Sequence, residues 1–274
     1  HKKINYQKLY RRFKSLEFSL EKWKKAIQHA NRIGINIFFS IFDKESYDIL
    51  EKLKISLIKI PSGEINNYDL LKKINKSRKK VILSTGMSNL FEIQKALKHL
   101  NKCKVTLMHC VSEYPTLNPN LNNIKLLQKK FKLEVGYSDH TPDVITPALS
   151  VIAGATHIEK HFTYNKKQKL GDHKFSLNPG ELKIMIKNVR LAESSKGKEK
   201  KIISTKEKKL QFFARKGLYL RKNKLKGEKI KYSDLIVLRP QGSLSVDKIN
   251  IIKNKKLKID VRSLTPLKLN YFSR

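Results

Sequence analysis

Acidic residues are scarce: 23 Asp and Glu stand against 60 Lys and Arg in 274 residues, a formal net charge of +37. Such an excess invites a nucleic-acid reading, because clustered cations release counterions from a phosphate backbone. Arginine is scarce as well, 10 residues against 50 Lys, and base readout relies on the guanidinium fork. The lysines are also spread over nearly every helix-like segment, so a solvated lysine surface is expected, with non-specific adhesion to polyanions and no specific nucleic-acid partner. Cysteine is limited to Cys103 and Cys110, and Cys110 closes an apolar strand-like run; both are expected as reduced thiols in a cytoplasmic protein. No apolar run approaches the length of a membrane span, and the opening residues lack the pattern of a signal peptide, so no membrane partner is expected. There is no Gly-rich dinucleotide fingerprint and no phosphate-loop Lys-Ser/Thr motif, which removes the open nucleotide-binding sheets. An initiating Met is missing too, and a chain that starts in mid-phrase reads as a fragment.

What is present is an alternation. From Tyr6 to Ile33, Phe13, Leu16, Leu20, Trp23, Ala26 and Ala30 approximate a three-to-four spacing, which predicts one helical stretch stopped by Gly34. Residues 35–40 read as a strand and 43–50 as the next helix, with Asp43 or Ser46 near its start. The unit then repeats with strands at 56–61, 80–83, 105–110, 133–137 and 156–159, followed by helices at 67–74, 90–100, 122–131, 145–155 and 175–191. Six successive β-α units predict an α/β fold with a parallel sheet and right-handed crossovers. Each strand closes on hydroxylated, charged or metal-competent residues, which favours a (β/α)8 TIM barrel over an open sheet with a single switch point. Eight strands are needed, so the first two are expected to be absent from this chain. Residues 1–193 are assigned to the barrel and 194–211 to a linker rich in Lys, Ser, Gly and Glu. Residues 212–274 are assigned to a small β-rich domain that would lean on a partner surface.

In a barrel the strand ends meet at one mouth. Lys59, Ser62, Ser84, Thr85, Ser112 and Ser138 offer an ammonium and hydroxyls suited to a phosphate and a carboxylate. His140 and His161 end neighbouring strands, where two neutral imidazoles can hold one divalent ion and leave positions open for substrate. Glu159 shares a strand face with His161 and is either a partner of that site or a base; Tyr114 and Asp172 suit polyol hydroxyls. Each has a plainer alternative: His140 as a turn cap, His161 as a satisfied half-buried histidine, strand-end serines as helix caps, Lys59 as a solvated cation, and Asp172 as a turn residue.

Several phrases together carry a likeness. They are Lys59-Ile-Pro-Ser-Gly-Glu64, Leu83-Ser-Thr-Gly-Met87, His109-Cys110 with Tyr114-Pro-Thr116, Gly136-Tyr-Ser-Asp-His-Thr141, Ile158-Glu-Lys-His-Phe-Thr163, Gly171-Asp172 and Leu177-Asn-Pro-Gly-Glu181. In this order the chain resembles the sialic acid (N-acetylneuraminate) synthase family with its legionaminate and pseudaminate relatives. Residues from about Phe212 resemble that family's C-terminal antifreeze-like (SAF) domain. The resemblance implies condensation of phosphoenolpyruvate with an N-acetylated hexosamine, N-acetylmannosamine or a relative, to a nine-carbon 2-keto acid and phosphate, with Mn2+ or Mg2+ as cofactor. It also implies His140 and His161 as metal ligands, Lys59, Ser62, Ser84, Ser112 and Ser138 at phosphoenolpyruvate, and Tyr114 and Asp172 at the sugar. Glu159 falls at the reaction centre. Phe213 and Arg239 match positions that reach the sugar from the other protomer of a domain-swapped homodimer; read without the likeness, Arg239 is one more surface cation.

Three departures qualify the likeness. The family's first two strands are absent, and with them a Glu near metal and sugar and a Lys near phosphoenolpyruvate; Ser40 and Ile41 replace a Thr and a Pro; and Ser112 stands for an Asn. The isolated chain is therefore expected to be poorly stable or inactive unless the segment is supplied. The alternative function is a catalytically dead remnant of this fold that retains only binding.

Overall fold

Valine, isoleucine and leucine at alternate positions of five short runs build the framework, because a strand sends successive side chains to opposite faces. The computed structural model describes residues 6–168 and 171–273; residues 1–5, weighed above for a leader, lie outside the described residues. The first unit, residues 1–197, runs α1 (Tyr6–Ser15), α2 (Leu20–Arg32), β1 (Phe39–Ser40), α3 (Lys44–Lys52), β2 (Leu57–Ile60), α4 (Tyr68–Ser77), β3 (Lys80–Ser84), α5 (Leu90–His99), β4 (Lys104–His109), α6 (Asn122–Phe131), β5 (Val135–Asp139), α7 (Thr146–Ala153), β6 (Ile158–Lys160) and α8 (Pro179–Lys196). The six strands form one parallel sheet in sequential order.

The register divides the sheet into two faces. Ser40 lies beside Lys59, Lys59 beside Ile82, Ser84 beside Met108, Met108 beside Gly136, and Ser138 beside Glu159. The opposite face carries Ile58, Ile60, Val81, Leu83, Val105, Leu107, Val135 and Tyr137. These pack with Leu70, Leu71, Ile74, Ile93, Ala96, Ile124 and Leu127 from the helices. The principal core thus lies between sheet and helices, and the other face carries the chemistry. Leu71→Ala, at a fully buried site on α4, is expected to cost about 2–5 kcal/mol in urea unfolding. A loss well under about 1 kcal/mol would contradict this core.

Local signals place the helices. Asp43, of the two candidates, caps α3, its carboxylate accepting from Ser46 N at 2.6 Å; Asn67 caps α4, and Asn89 and Asn178 form capping boxes with Glu92 and Glu181. Gly154 ends α7 at φ 111°, a conformation that favours glycine.

Four expectations change. The single helix over 6–33 is two, because Ser19 takes an extended conformation and caps α2. Trp23 then packs at a tilt against Phe18 and edge-on to Phe39, each at 4.9 Å. The strand expected over 35–40 is paired only at Phe39–Ser40, since β1 is an edge with one neighbour. The segment 194–211 contains the end of α8 and the start of α9 (Thr205–Ala214), which opens on a Ser204/Glu207 capping box. In the second unit, residues 198–274, β7 (Gly217–Leu220) pairs antiparallel with β8 (Leu235–Leu238), followed by α10 (Ile249–Ile252). The runs expected as strands near 230 and 257 appear only as isolated bridges, Lys229 to Lys256 and Leu257 to Phe272. Leu218, Leu220, Ile230, Leu244, Ile252 and Leu267 form this unit's own core. Among the described residues no helix is long and apolar enough to cross a membrane.

Candidate active site

Lys59 on β2 and Glu159 on β6 are separated by three intervening strands, which in a flat sheet would hold their backbones about 19 Å apart at the usual strand spacing. Their side chains nevertheless meet, with Lys59 Nζ 2.8 Å from Glu159 Oε2 and 3.1 Å from Oε1. The sheet must therefore curl, and its polar face is the concave one. Ser138 on β5 donates to the same Glu159 Oε1 at 2.7 Å. Burial acts to raise the Glu159 carboxyl, but the Lys59 ammonium and the two hydrogen bonds outweigh it and hold the group below the usual carboxylate range. Lys59 itself is only 6% exposed, so the solvated-cation alternative does not hold.

A second group surrounds Gly86. Its backbone N–H donates to Ser62 Oγ at 3.0 Å, and Ser62 Oγ lies 3.3 Å from Cys110 Sγ. A methyl added at Gly86 would meet the Ser112 hydroxyl, Cys110 Sγ at 2.8 Å and Ser62 Oγ at 2.9 Å, which leaves no room for a side chain. Burial pushes the Cys110 thiol up and keeps it protonated. Ser84 is buried on the same face, and its hydroxyl makes no hydrogen bond to another described residue. Thr85 instead spends its hydroxyl on the Met108 carbonyl at 3.0 Å. A groove of ≈ 830 Å³ opens beside this rim, lined by Thr85, Ser88, Asn89, Cys110, Ser112 and Asn123 among others.

The two imidazoles lie side by side, their ring centroids 5.4 Å apart. His140 Nδ1 lies 2.7 Å from the Val111 carbonyl. A carbonyl only accepts, so Nδ1 carries the proton and Nε2 is left as a lone-pair donor. Burial, reinforced by His140 nearby, lowers the pKa of His161 and favours its neutral form. Its Nδ1 is 3.8 Å from the Asp172 carboxylate. Tyr114 packs on His140 at 4.2 Å, and Phe175 lies edge-on to His161 at 5.5 Å. Two adjacent imidazoles, one with its tautomer set by the Val111 carbonyl, suit a divalent ion. Among the described residues no group of three or more His, Cys, Asp or Glu side chains completes such a site.

The remaining sequence candidates differ in their surroundings. Ser40 is exposed on β1, in register with Lys59. Asp172 is exposed, and its carbonyl also accepts from Ser176, so it serves a turn as well as facing His161. Phe213 and Arg239 are exposed within the second unit, where Gln241 N donates to the Phe212 carbonyl at 3.0 Å and brings their two stretches of backbone together. Sequence reasoning missed Lys160 and Asp139, a buried ion pair at 2.5 Å. The signal was available, since a Lys between two residues of the concave face must point to the packed face and needs an acid there.

The chain has clear relatives among known proteins. Residues 1–201 match the model of the NeuB family. The N,N'-diacetyllegionaminic acid synthase of Campylobacter jejuni is 42% identical over 239 residues, covering 84% of this chain and 71% of that protein. The pseudaminic acid synthase of the same species is 34% identical over 271 residues, covering 97% and 79%. The crystal structure of N-acetylneuraminic acid synthetase from Leptospira borgpetersenii superposes with a TM-score of 0.68 at 30% identity, over 71% of this chain and 70% of that one. With a curled parallel sheet delivering Lys59, Ser138, Glu159 and two paired imidazoles to one face, and with these matches along its length, the chain belongs to the NeuB family of sialic acid synthases.

Proposed function

We propose that this chain is a nonulosonate synthase: a transferase that joins phosphoenolpyruvate to an open-chain N-acetylated hexosamine and releases phosphate. The observation that carries the reading is the Lys59–Glu159–Ser138 cluster beside the imidazole pair. Lys59 with Ser62, Ser84 and Ser112 would hold the anionic groups of phosphoenolpyruvate through charge-assisted hydrogen bonds. Tyr114, Asp172 and His161 lie together and would orient the sugar. Held this way, C3 of the enol ester attacks the aldehyde carbon, whose oxygen takes up a proton, and C2 becomes an oxocarbenium. A water then adds to C2 and gives up its proton, and as the C–O bond to phosphate breaks the C2 hydroxyl proton leaves with the phosphate to give the 2-keto acid. Glu159, ionised and open to the site on one side, is placed to take the proton that the water gives up. When Mn2+ or Mg2+ is held by His140 and His161, it would polarise the aldehyde oxygen.

The reading includes an eight-stranded barrel of which the six strands form the greater part, antifreeze-like character for residues 212–274, and assembly as a domain-swapped homodimer. Phosphate release from phosphoenolpyruvate that requires both Mn2+ and an N-acetylmannosamine-type sugar tests it. Binding of both substrates without turnover would leave only the remnant alternative standing. Gly86→Ala tests the anion pocket separately, because its methyl must displace Ser62, Cys110 and Ser112. Phosphoenolpyruvate binding by calorimetry should weaken by about tenfold or more, the cost of losing one or two hydrogen bonds to a charged group. Unaltered binding would place the pocket elsewhere.

A further inference from the structure

We propose that Lys160 and Asp139 are positioning residues that set the spacing of the His140 and His161 imidazoles from the opposite side of the sheet. Lys160 Nζ donates to Asp139 Oδ2 and to the Thr141 carbonyl, both at 2.5 Å. One ammonium is thus fastened to the residue before His140 and to the residue after it, while being itself the residue before His161. Asp139 is fully engaged: Oδ1 accepts from Tyr137 Oη at 2.8 Å and from Thr141 N at 2.9 Å, and Oδ2 accepts from the Thr141 hydroxyl at 3.1 Å. The carboxylate therefore fixes the turn by which the chain leaves β5, and the lysine ties that turn to β6. Asp139 and Lys160 are direct register partners, as are Ser138 and Glu159 on the site face, so adjacent rungs of the ladder carry the clamp behind and the reacting groups in front.

A buried ion pair is weak ground for stability, since apolar replacements of like volume often cost nothing. Its geometric effect is clearer. Without the lysine, His161 keeps its backbone bond from Leu177 and its ring contacts with Tyr114 and Phe175, but the polar tie between the end of β6 and the turn after β5 is lost. The His140 ring is separately oriented by Val111, so the clamp governs where the two rings sit and not which tautomer they take.

This inference rests on the assignment of the two histidines to a divalent ion, and the test separates the two. The full chain, its Asp139→Asn/Lys160→Met double variant and its His140→Ala variant are titrated with Mn2+ alone, free ion being read by its electron paramagnetic resonance signal, while circular dichroism reports folding. The double variant should melt as a folded protein and bind Mn2+ about 10- to 100-fold more weakly, the range seen when an outer partner of a metal ligand is removed. A folded double variant with unaltered affinity overturns the clamp. Should the double variant not fold, Asp139→Asn alone, which keeps acceptors for Tyr137 and Thr141, carries the same test, and unchanged affinity in it overturns the proposal equally. An unaltered chain that binds no Mn2+, or whose affinity survives His140→Ala, overturns the ligand assignment and the clamp with it.

Discussion

Lys59→Met is expected to lower phosphate release by about 10²–10³-fold, the usual cost of removing one preorganised donor from a developing or transferred anion. Two effects act together, and their sizes can be compared. Breaking a buried ion pair costs about 3–5 kcal/mol when the orphaned charge stays dry, but Glu159 keeps the Ser138 hydrogen bond and its side chain remains 38% exposed. Water can reach it, so the stability loss should fall below that range while the loss of anion binding stays whole. The diagnostic is therefore a large rise in KM for phosphoenolpyruvate with little change in KM for the sugar, in a protein that still melts cooperatively. Equal turnover in a folded Lys59→Met protein would take the ammonium out of the reaction.

The second large effect falls on the imidazoles. His140→Ala and His161→Ala should each remove Mn2+-dependent turnover by about 10²-fold or more, and the double variant should be hardly worse than either, because groups that hold one ion act as a unit. His140→Ala also frees the Val111 carbonyl and unstacks Tyr114, so some loss of sugar affinity should accompany it. Additive losses, or metal-independent turnover in either variant, would point to two separate histidine roles.

Much of this site was legible in the sequence because strand ends of a parallel sheet converge whatever their separation along the chain. Lys59, Ser138, Glu159, His140 and His161 were found that way, and the alternation of apolar and polar residues located the core. The losses have physical causes. Phe18 and Trp23 continue an apolar rhythm across residues 16–19, so the break at Ser19 was hidden behind side chains that pack together after the chain has turned. Ile35 to Phe39 has the composition of a strand, yet Ile35 and Phe38 are exposed and only two residues find a partner, since pairing depends on a neighbour that local composition does not report. The Ser204/Glu207 capping-box signature is masked in the sequence by the lysines that surround it. Lys160 was read as part of a motif and not as a buried charge in want of an acid, although its position between Glu159 and His161 determines its direction.

The alternation in β5 and β6 makes the active face a matter of parity. Even-numbered positions of β5 and odd-numbered positions of β6 look into the mouth, and the others look into the scaffold. Substitution tolerance along these strands should accordingly be striped with a two-residue rhythm, the even positions of β5 answering the odd positions of β6. Inserting one residue ahead of Tyr137 would exchange Ser138 and His140 for Tyr137 and Asp139 at a stroke, so length changes here should be far less forgivable than any single replacement.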